Sequence, residues 1–350
     1  MFVQKPFSMQ ENVPLADMTT MRAGGAARFL CEVMSENDLC AATVFSQERG
    51  VPLVILGGGS NVVIADCGVA GVVAHMAMKG LTATPDPHHV GNTLLHVAAG
   101  EAWDDVVAYA VSHDWCGIEN LSAIPGTVGG AVYQNIGAYG AEIKDVVVSV
   151  TIFDRERMAT QIIPASACAF GYRTSIFQHP PGNRYVILSA TLCLRRDGVV
   201  NTSYPDVHAW LARMGVAHPT VRDIRAAVCA IRAAKLPDPA IIGTAGSFFK
   251  NPLISKALYD ELAERYPKLP GYPNAEGTAI KVSLAWILDK VLSVNGMREG
   301  AVGLYATQPL ALVNHGGATC DEIMTFAQKI SHEVMRATGI AIEREVHLLA

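Results

Sequence analysis

Two glycine-rich segments constrain the fold of this 350-residue chain more than any other feature. The first, residues 56–61 with the sequence LGGGSN, lies between two short apolar runs that are typical of strands. Three consecutive glycines allow a tight turn whose backbone N–H groups can converge on an anion. The segment is neither a Walker A loop nor a dinucleotide fingerprint, because its spacing differs from both. By itself it is equally compatible with a phosphate site and with an ordinary glycine-rich β-turn.

The second segment covers residues 124–140 and reads IPGTVGGAVYQNIGAYG. Its five glycines and few charges suit backbone that packs closely against a large, flat, partly apolar ligand. A glycine-rich crossover loop would have the same composition. Two such segments in one chain nevertheless favour a dinucleotide with a long pyrophosphate bridge over either alternative taken separately.

Apolar residues around these segments recur at strand and helix spacing in alternation. The pattern predicts helices over residues 36–49, 101–113, 220–234 and 321–337. It predicts strands over residues 28–33, 51–56, 62–65, 69–74, 94–98, 146–153, 159–163, 185–195 and 341–349. Ser35 and Gly50 are the expected caps of the first helix. A polar stretch at residues 196–203 indicates the main domain boundary, and residues 84–89 indicate a weaker one.

Composition excludes several classes of protein. Half of the residues are hydrophobic and 17% are charged, so the chain is not globally disordered. The net charge of -5 does not favour a general nucleic-acid binder. No apolar run reaches the ~18 residues of a membrane span, and the first twenty residues lack a signal-peptide core. The eight cysteines never form C-x-x-C, which favours reduced thiols in a cytoplasmic protein without a structural metal.

Three further motifs carry polar groups that chemistry could use. In FGYR, Tyr172 and Arg173 could hold a carboxylate or phosphate, although such a pair is commonly a surface feature. Arg232 and Lys235 lie one turn apart where a helix ends at KLPDP. In AGSFFKNP, Ser247 lies on a glycine-flanked turn beside two phenylalanines, and a simple capping role is the alternative.

The chain ends in IEREVHL, whose alternation places Glu343, Glu345 and His347 on one face of the last predicted strand. An ordinary solvated strand face would have the same pattern. The pattern alone therefore does not single out Glu345.

Taken in order, the strings GGGSN, IPGTVGGAVYQNIGAYGAE, FGYR, KLPDP, AGSFFKNP and IEREV resemble the longer subtype of the UDP-N-acetylenolpyruvoylglucosamine reductase (MurB) family. The resemblance runs from about Thr20 to Leu349. It implies an α+β protein with a two-subdomain FAD-binding fold of the vanillyl-alcohol oxidase type and a C-terminal α+β substrate-binding domain. The implied limits are residues 1–84 and 85–200 for the two flavin subdomains and residues 201–350 for the C-terminal domain.

The resemblance also implies site residues. The catalytic residues would be Arg173, Ser247 and Glu345. Those that hold FAD would be Gly57, Gly58, Gly59, Ser60, Asn61, Ile124, Pro125, Gly126, Val128, Gly129, Gly130, Asn135, Gly137, Ala138 and Arg232. Those that contact substrate would be Tyr172, Tyr204, Lys235, Asn251, Tyr272 and Gln308.

The implied activity is NADPH-dependent reduction of an enolpyruvyl ether on a UDP-sugar, in peptidoglycan precursor synthesis. The enzyme would be a cytoplasmic monomer whose partners are small molecules, with no nucleic acid, membrane or metal. Two alternatives remain: an FAD-dependent oxidase of the same flavin fold acting on an alcohol or hydroxy acid, and a non-catalytic flavin- or nucleotide-binding module. Neither glycine-rich segment contains a histidine for covalent flavin attachment, which weighs against many oxidases.

Overall fold

The computed structural model describes residues 7–274 and 277–350. The chain forms two compact units, and each is built from separate stretches of sequence. The first contains the described residues up to Val13, Ala27–Gly58 and Ala70–Ala234. The second contains Pro14–Ala26, Gly59–Val69 and Lys235–Ala350. The chain therefore passes from one unit to the other inside the first glycine-rich segment, between its second and third glycines.

The described residues form mixed α and β structure. The strands of the first half are β1 (Gln10–Pro14), β2 (Ala26–Val33), β3 (Leu53–Leu56), β4 (Val62–Ile64), β5 (Val69–Met76), β6 (Leu81–Pro85), β7 (Asn92–Ala98), β8 (Gly137–Ala138), β9 (Ala141–Glu142), β10 (Val147–Asp154), β11 (Ala159–Pro164) and β12 (Tyr185–Arg195). Those of the second half are β13 (Gly243–Ser247), β14 (Leu253–Ser255), β15 (Gly271–Pro273), β16 (Ala279–Val282), β17 (Arg298–Glu299), β18 (Val302–Tyr305), β19 (Gln308–Asn314) and β20 (His347–Leu349).

The α-helices alternate with these strands. They are α1 (Glu36–Arg49), α2 (Trp103–Ser112), α3 (Val128–Gln134), α4 (Pro205–Arg213), α5 (Val221–Lys235), α6 (Lys256–Arg265), α7 (Leu284–Trp286), which continues as a π-helical turn, and α8 (Cys320–Thr338). The helices predicted over residues 36–49, 101–113, 220–234 and 321–337 are confirmed as α1, α2, α5 and α8. Helices α3, α4 and α6 were not predicted.

Besides the two-stranded pair β8-β9, the described residues of the first unit form two sheets. The smaller has the order β1-β2-β5-β3 and packs against α1. Helix α1 begins where the Ser35 hydroxyl accepts a hydrogen bond from the backbone N–H of Asp38 and ends at Gly50 in the left-handed region, as predicted. Leu39 and Ala42 on its inner face are completely buried. The sheet and helix therefore enclose one core.

The larger sheet of the first unit is antiparallel, in the order β11-β10-β12-β7-β6. Helices α2 and α3 cover it and complete its core. On α2, Trp103, Val107 and Ala110 are fully buried at helical spacing, as the sequence predicted. Helices α4 and α5 pack on each other through a separate cluster that includes Val207 and Ile224.

The second unit has an antiparallel sheet in the order β13-β19-β18-β17, a three-stranded sheet β14-β16-β15, and the parallel pair β20-β4. Helix α8 begins with a capping box: Thr319 accepts from the N–H of Glu322, whose carboxylate accepts from the N–H of Thr319. Its apolar face, which includes Ile330, shares a core with Phe248 and Leu312. This core supports the turn that carries Ser247.

The C-terminal strand is shorter than predicted. Its regular part is only β20, whereas residues 343–345 make a single antiparallel bridge, between Phe249 and Arg344. The chain changes partners here, from the segment after β13 to the parallel neighbour β4, so a continuous strand over residues 341–349 is wrong. The expected division into three domains, with boundaries at residues 84/85 and 200/201, stays a prediction.

In the part of the chain that the structure describes, no helix combines the length and apolar character needed to span a membrane.

Candidate active site

The two glycine-rich segments lie against each other within the first unit. A Cβ atom built on Gly57 would lie 2.7 Å from the Thr127 Oγ1 atom, and one on Gly58 would lie 2.8 Å from the Gly126 Cα atom. Both distances are too short for any side chain larger than hydrogen. The obstacle at residue 57 is the Thr127 side chain and that at residue 58 is the Gly126 backbone, so glycine at both residues lets the two segments approach this closely.

Hydrogen bonds to the turn between β7 and α2 hold the start of helix α3 within the second segment. Val128 donates its N–H to the carbonyl of Glu101 at 2.9 Å, and Gly129 donates to the carbonyl of Ala99 at 2.9 Å. A Cβ atom on Gly129 would lie 3.0 Å from that of Ala99. Val128 is fully buried, so its side chain anchors the loop. Pro125, Gly130 and Gly140 are the exposed positions of this segment.

The Thr127 hydroxyl is the main group in this region that sequence reasoning missed. Thr127 occupies the N-cap position of α3, yet its side chain makes no capping hydrogen bond. Its Oγ1 atom is buried and, among the described residues, finds no hydrogen-bond partner. A buried hydroxyl beside two close backbones is a group that a ligand's phosphate oxygen can satisfy. Threonine directly before a helix in GTVGG was the available signal.

Arg173 lies close in space to Gly137, near the C-terminal end of the second glycine-rich segment. The FGYR motif forms a tight turn, with paired hydrogen bonds between Gly171 and Thr174, and Arg173 adopts a left-handed φ of 53°. Its Nη2 atom donates to the carbonyl of Gly137 at 2.6 Å. Its guanidinium also lies 5.3 Å from the ring centroid of Tyr172. The structure thus joins FGYR to the β8 strand that contains Gly137 and Ala138.

Asn135 connects the same elements from the inside. Its side chain is completely buried and donates to the carboxylate of Glu142 at 3.1 Å and to the carbonyl of Gly171 at 2.8 Å. Its Oδ1 atom accepts from the N–H of Lys144 at 3.1 Å. Both amide hydrogens and the carbonyl oxygen are thus used within the protein. Asn135 thus holds the Arg173 turn in place, and its expected contact with the cofactor stays a prediction.

A cluster of two tyrosines and an arginine lies beside the second segment. The Tyr139 and Tyr204 rings meet edge to face with centroids 5.1 Å apart. Arg232 of α5 hydrogen-bonds to the side chain of Tyr139 and donates from Nε to the carbonyl of Ala123 at 3.1 Å. Burial lowers the pKa of the Arg232 guanidinium, and burial raises the pKa of Tyr139. The structure therefore groups Arg232 with Tyr204, and Tyr139 joins them although the sequence analysis did not select it.

Ser247 and Glu345 come together within the second unit. Ser247 ends β13 opposite Ala311, directly after Gly246, whose φ of 73° needs glycine. The backbone N–H of Glu345 donates to the carbonyl of Phe248, the next residue after Ser247, at 2.9 Å. Both side chains are half-buried. Ser247 and Glu345 are far apart in sequence. They thus bring a hydroxyl and a carboxyl group to neighbouring segments that are hydrogen-bonded to each other.

The end of the first glycine-rich segment supports this pair. The Asn61 amide donates to the carbonyl of Glu345 at 3.0 Å, and the carbonyl of Asn61 accepts from the N–H of His347 at 3.1 Å. Gly59, at φ 61°, accepts at its carbonyl from the N–H of Thr20 at 3.0 Å. Ser60 lies between them and is half-buried. These residues belong to the second unit, where they position the strand of Glu345.

The predicted substrate residues are divided between the two units. Tyr172 and Tyr204 belong to the first, and the second contains Lys235, Asn251, Tyr272 and Gln308. Asn251 accepts from the N–H of Leu284 at 3.0 Å, and so caps α7. The Lys235 carbonyl accepts from the Thr307 hydroxyl at 2.8 Å, which places this lysine beside the turn before Gln308. Tyr272 is exposed on β15. Nothing in these contacts conflicts with a ligand role for Lys235 or Tyr272.

Comparison with known proteins accounts for both units. Residues 27–157 match the family model of an FAD binding domain, and residues 238–349 match that of the UDP-N-acetylenolpyruvoylglucosamine reductase C-terminal domain. The UDP-N-acetylenolpyruvoylglucosamine reductase of Pseudomonas aeruginosa is 42% identical over 97% of this chain and 98% of its own length. The chain belongs to the UDP-N-acetylenolpyruvoylglucosamine reductase family. The enzyme of the same name from Ralstonia nicotianae is 41% identical over 96% of this chain and 98% of its own length.

A solved structure supports the fold. The UDP-N-acetylenolpyruvylglucosamine reductase (MurB) of Thermus caldophilus superposes with a TM-score of 0.68 over 98% of this chain and all of that one, at 23% identity. The resemblance to this family and the expected α+β class, with an FAD-binding domain and a C-terminal reductase domain, are thereby confirmed.

Proposed function

We propose that this member of the reductase family reduces the enolpyruvyl group of UDP-N-acetylglucosamine enolpyruvate to the lactyl ether of UDP-N-acetylmuramate, with NADPH as reductant and FAD as cofactor. The observation that carries this proposal is 42% identity with a reductase of that name over nearly the whole of both chains. The product is a peptidoglycan precursor. The oxidase alternative is not favoured, because the C-terminal match is to a reductase domain.

The residues of the first unit suit an FAD pyrophosphate. Because residues 57 and 58 have no side chain, the two segments can lie against each other here. The buried Thr127 hydroxyl at this contact has a hydrogen to donate. Residues 124–126, Gly129 and Gly130 would line the cofactor with backbone, and Arg232 would approach it from α5.

FAD, when bound, supplies the redox chemistry by which the hydride of NADPH reaches the β-carbon of the enolpyruvyl group. The protein must then manage charge and a proton. Negative charge develops on the α-carbon and spreads into the substrate carboxylate, where Arg173 would offset it, since a guanidinium stays protonated at neutral pH. The Ser247 hydroxyl would donate its proton to the α-carbon. The hydride and this proton together complete the reduction of the carbon–carbon double bond.

Glu345 would share a hydrogen bond at the same carboxylate or α-carbon. Supporting this role, the backbone N–H of Glu345 is hydrogen-bonded to the residue that follows Ser247, so the two residues lie on neighbouring segments of the second unit. Tyr172, Tyr204, Lys235, Asn251, Tyr272 and Gln308 would hold the UDP-sugar. The half-buried Ser247 would be shielded from bulk water by Phe248 and Phe249, both nearly fully buried behind it.

Separating the two half-reactions tests the proposal. In Ser247→Ala, NADPH should bleach the flavin at a near-normal rate, while reoxidation by the enolpyruvyl substrate should slow by ~10²-fold or more, because a positioned general acid is lost. Ser255→Ala is the matched control, since Ser255 only caps α6 in the same unit. Stopped-flow absorbance measures both steps. Equal slowing of both steps in Ser247→Ala would show that Ser247 is structural.

We also propose that the enzyme works as a monomer in the cytoplasm. All eight cysteines are free thiols, and Cys31, Cys116, Cys168 and Cys320 are buried, which suits a reducing compartment. Gel filtration coupled to light scattering measures the mass, and cell fractionation measures the location.

A further inference from the structure

Ala123 precedes the second glycine-rich segment, and side chains hydrogen-bond to both its backbone N–H and its backbone carbonyl. Ala123 has a φ of 58°, a left-handed conformation that L-residues other than glycine adopt only at an energetic cost. Its N–H donates to the carboxylate of Asp104 at 2.5 Å, and its carbonyl accepts from Arg232 Nε at 3.1 Å. A non-glycine residue with this φ persists only where its surroundings hold it.

Asp104 is itself fixed by a bidentate ion pair. Arg225 of α5 donates from Nη1 to Oδ1 at 2.6 Å and from Nη2 to Oδ2 at 2.8 Å. Both oxygens are engaged, so the carboxylate plane cannot rotate, and Oδ1 is presented to Ala123. Burial opposes ionisation of Asp104, but Arg225 and Ala123 outweigh it and lower the pKa of this carboxyl. The acceptor is therefore charged throughout the neutral range.

The start of helix α2, which carries Asp104, also holds Gly126. Trp103, the neighbour of Asp104 and fully buried, donates its backbone N–H to the carbonyl of Gly126 at 3.0 Å. Residues 123–126 are thus tied at their first residue by Asp104 and Arg232 and at their last by Trp103. Gly126 is the residue that Gly58 touches.

We propose that Asp104 and Arg225 are positioning residues for the cofactor loop, and that their pairing sets the affinity for FAD. This inference rests on the proposed role of residues 124–126 in holding FAD. The pair lies between α2 and α5 and orients one carboxylate oxygen toward Ala123. Losing that acceptor frees Ala123 to relax to a right-handed or extended φ, and the loop that follows it then changes direction.

The test measures FAD release from diluted holoenzyme by flavin fluorescence, together with thermal unfolding. Asp104→Ala should raise the dissociation constant of FAD by roughly ten- to hundredfold, the effect of one hydrogen bond to a charged acceptor. Arg222→Ala is the matched control. Arg222 lies on the same helix α5 and pairs with Asp114 at 3.1 Å, but contacts no part of the loop. An FAD constant no higher in Asp104→Ala than in this control would overturn the proposal.

A charge swap separates positioning from general stability. Asp104→Arg combined with Arg225→Asp keeps an ion pair between the two helices, but arginine has no acceptor for the Ala123 N–H. We expect the melting temperature to recover toward that of the wild type while FAD affinity stays low. Recovery of both together would refute the positioning role. Wild-type holoenzyme that binds FAD but does not reduce the enolpyruvyl substrate would instead refute the proposed function and leave this inference standing.

Discussion

Gly58→Ala tests whether contact between the two glycine-rich segments creates the cofactor site. The added methyl group would lie 2.8 Å from Gly126 Cα and 3.3 Å from the Gly126 carbonyl carbon. Carbon atoms in ordinary contact are about 3.5–4.0 Å apart, so the two backbones must separate by about 1 Å. Gly58 itself has no left-handed φ, so the alanine conformation is not strained. The whole effect therefore comes from the neighbouring backbone.

The expected cost follows from that geometry. Forcing an extra methyl into a packed site costs about 1–3 kcal/mol, and here the obstacle is backbone, which yields less easily than a side chain. A loss of about 2 kcal/mol corresponds to a melting temperature lower by about 4–8 °C for a unit of this size. FAD affinity should fall more than stability does, by more than about thirtyfold, the equivalent of 2 kcal/mol, because the displaced atoms lie where the pyrophosphate would bind.

Calorimetry and FAD titration of the same preparation measure both effects. Thr319→Ala serves as a control that is destabilised elsewhere, since it removes the capping box of α8 at a cost of about 1 kcal/mol. That variant should melt earlier yet keep its FAD affinity. Wild-type FAD affinity in Gly58→Ala would refute the argument that the contact shapes the site.

Two predictions concern titratable groups. Burial, then Lys250 and Arg344, lower the pKa of His347 from 6.5, so the unfolded chain takes up the proton first. The free energy of unfolding should fall as pH drops below 6.5, and His347→Asn should flatten that slope in urea titrations; an unchanged slope would contradict this. Cys67 is exposed, whereas burial raises the pKa of Cys31 to about 12, so a thiol reagent followed by mass spectrometry should label Cys67 first. Faster labelling of Cys31 would contradict it.

Elements whose burial repeats along one face could be predicted from the sequence. Helix α2 and helix α8 follow this rule, since their inward residues recur at helical spacing and local caps mark the start of α8. Helix α3 escaped prediction because Gly129 and Gly130 are poor helix formers. It forms because Val128 and Gly129 donate to carbonyls of the turn between β7 and α2, which is a tertiary cause that no local pattern contains.

The site was predictable as a set of motifs but not as a set of contacts. The family resemblance selected Arg173, yet its hydrogen bond to Gly137 depends on a left-handed turn that FGYR does not reveal. The alternation in IEREVHL predicted a strand, but the segment pairs with residues 248–250 first and with β4 afterwards. The cofactor contact expected of Asn135 stays a prediction, and its buried hydrogen bonds to Glu142 and Gly171 could not be read from the sequence.

The first glycine-rich segment illustrates why such residues cannot be assigned one by one. Gly57 and Gly58 belong to the first unit and are glycine because Thr127 and Gly126 lie against them. Asn61, three residues later, belongs to the second unit and holds the carbonyl of Glu345. A string that reads as one phosphate loop thus has two separate packing functions. Substitutions within it should be interpreted by unit: those at its start through cofactor affinity, and those at its end through the strand of Glu345.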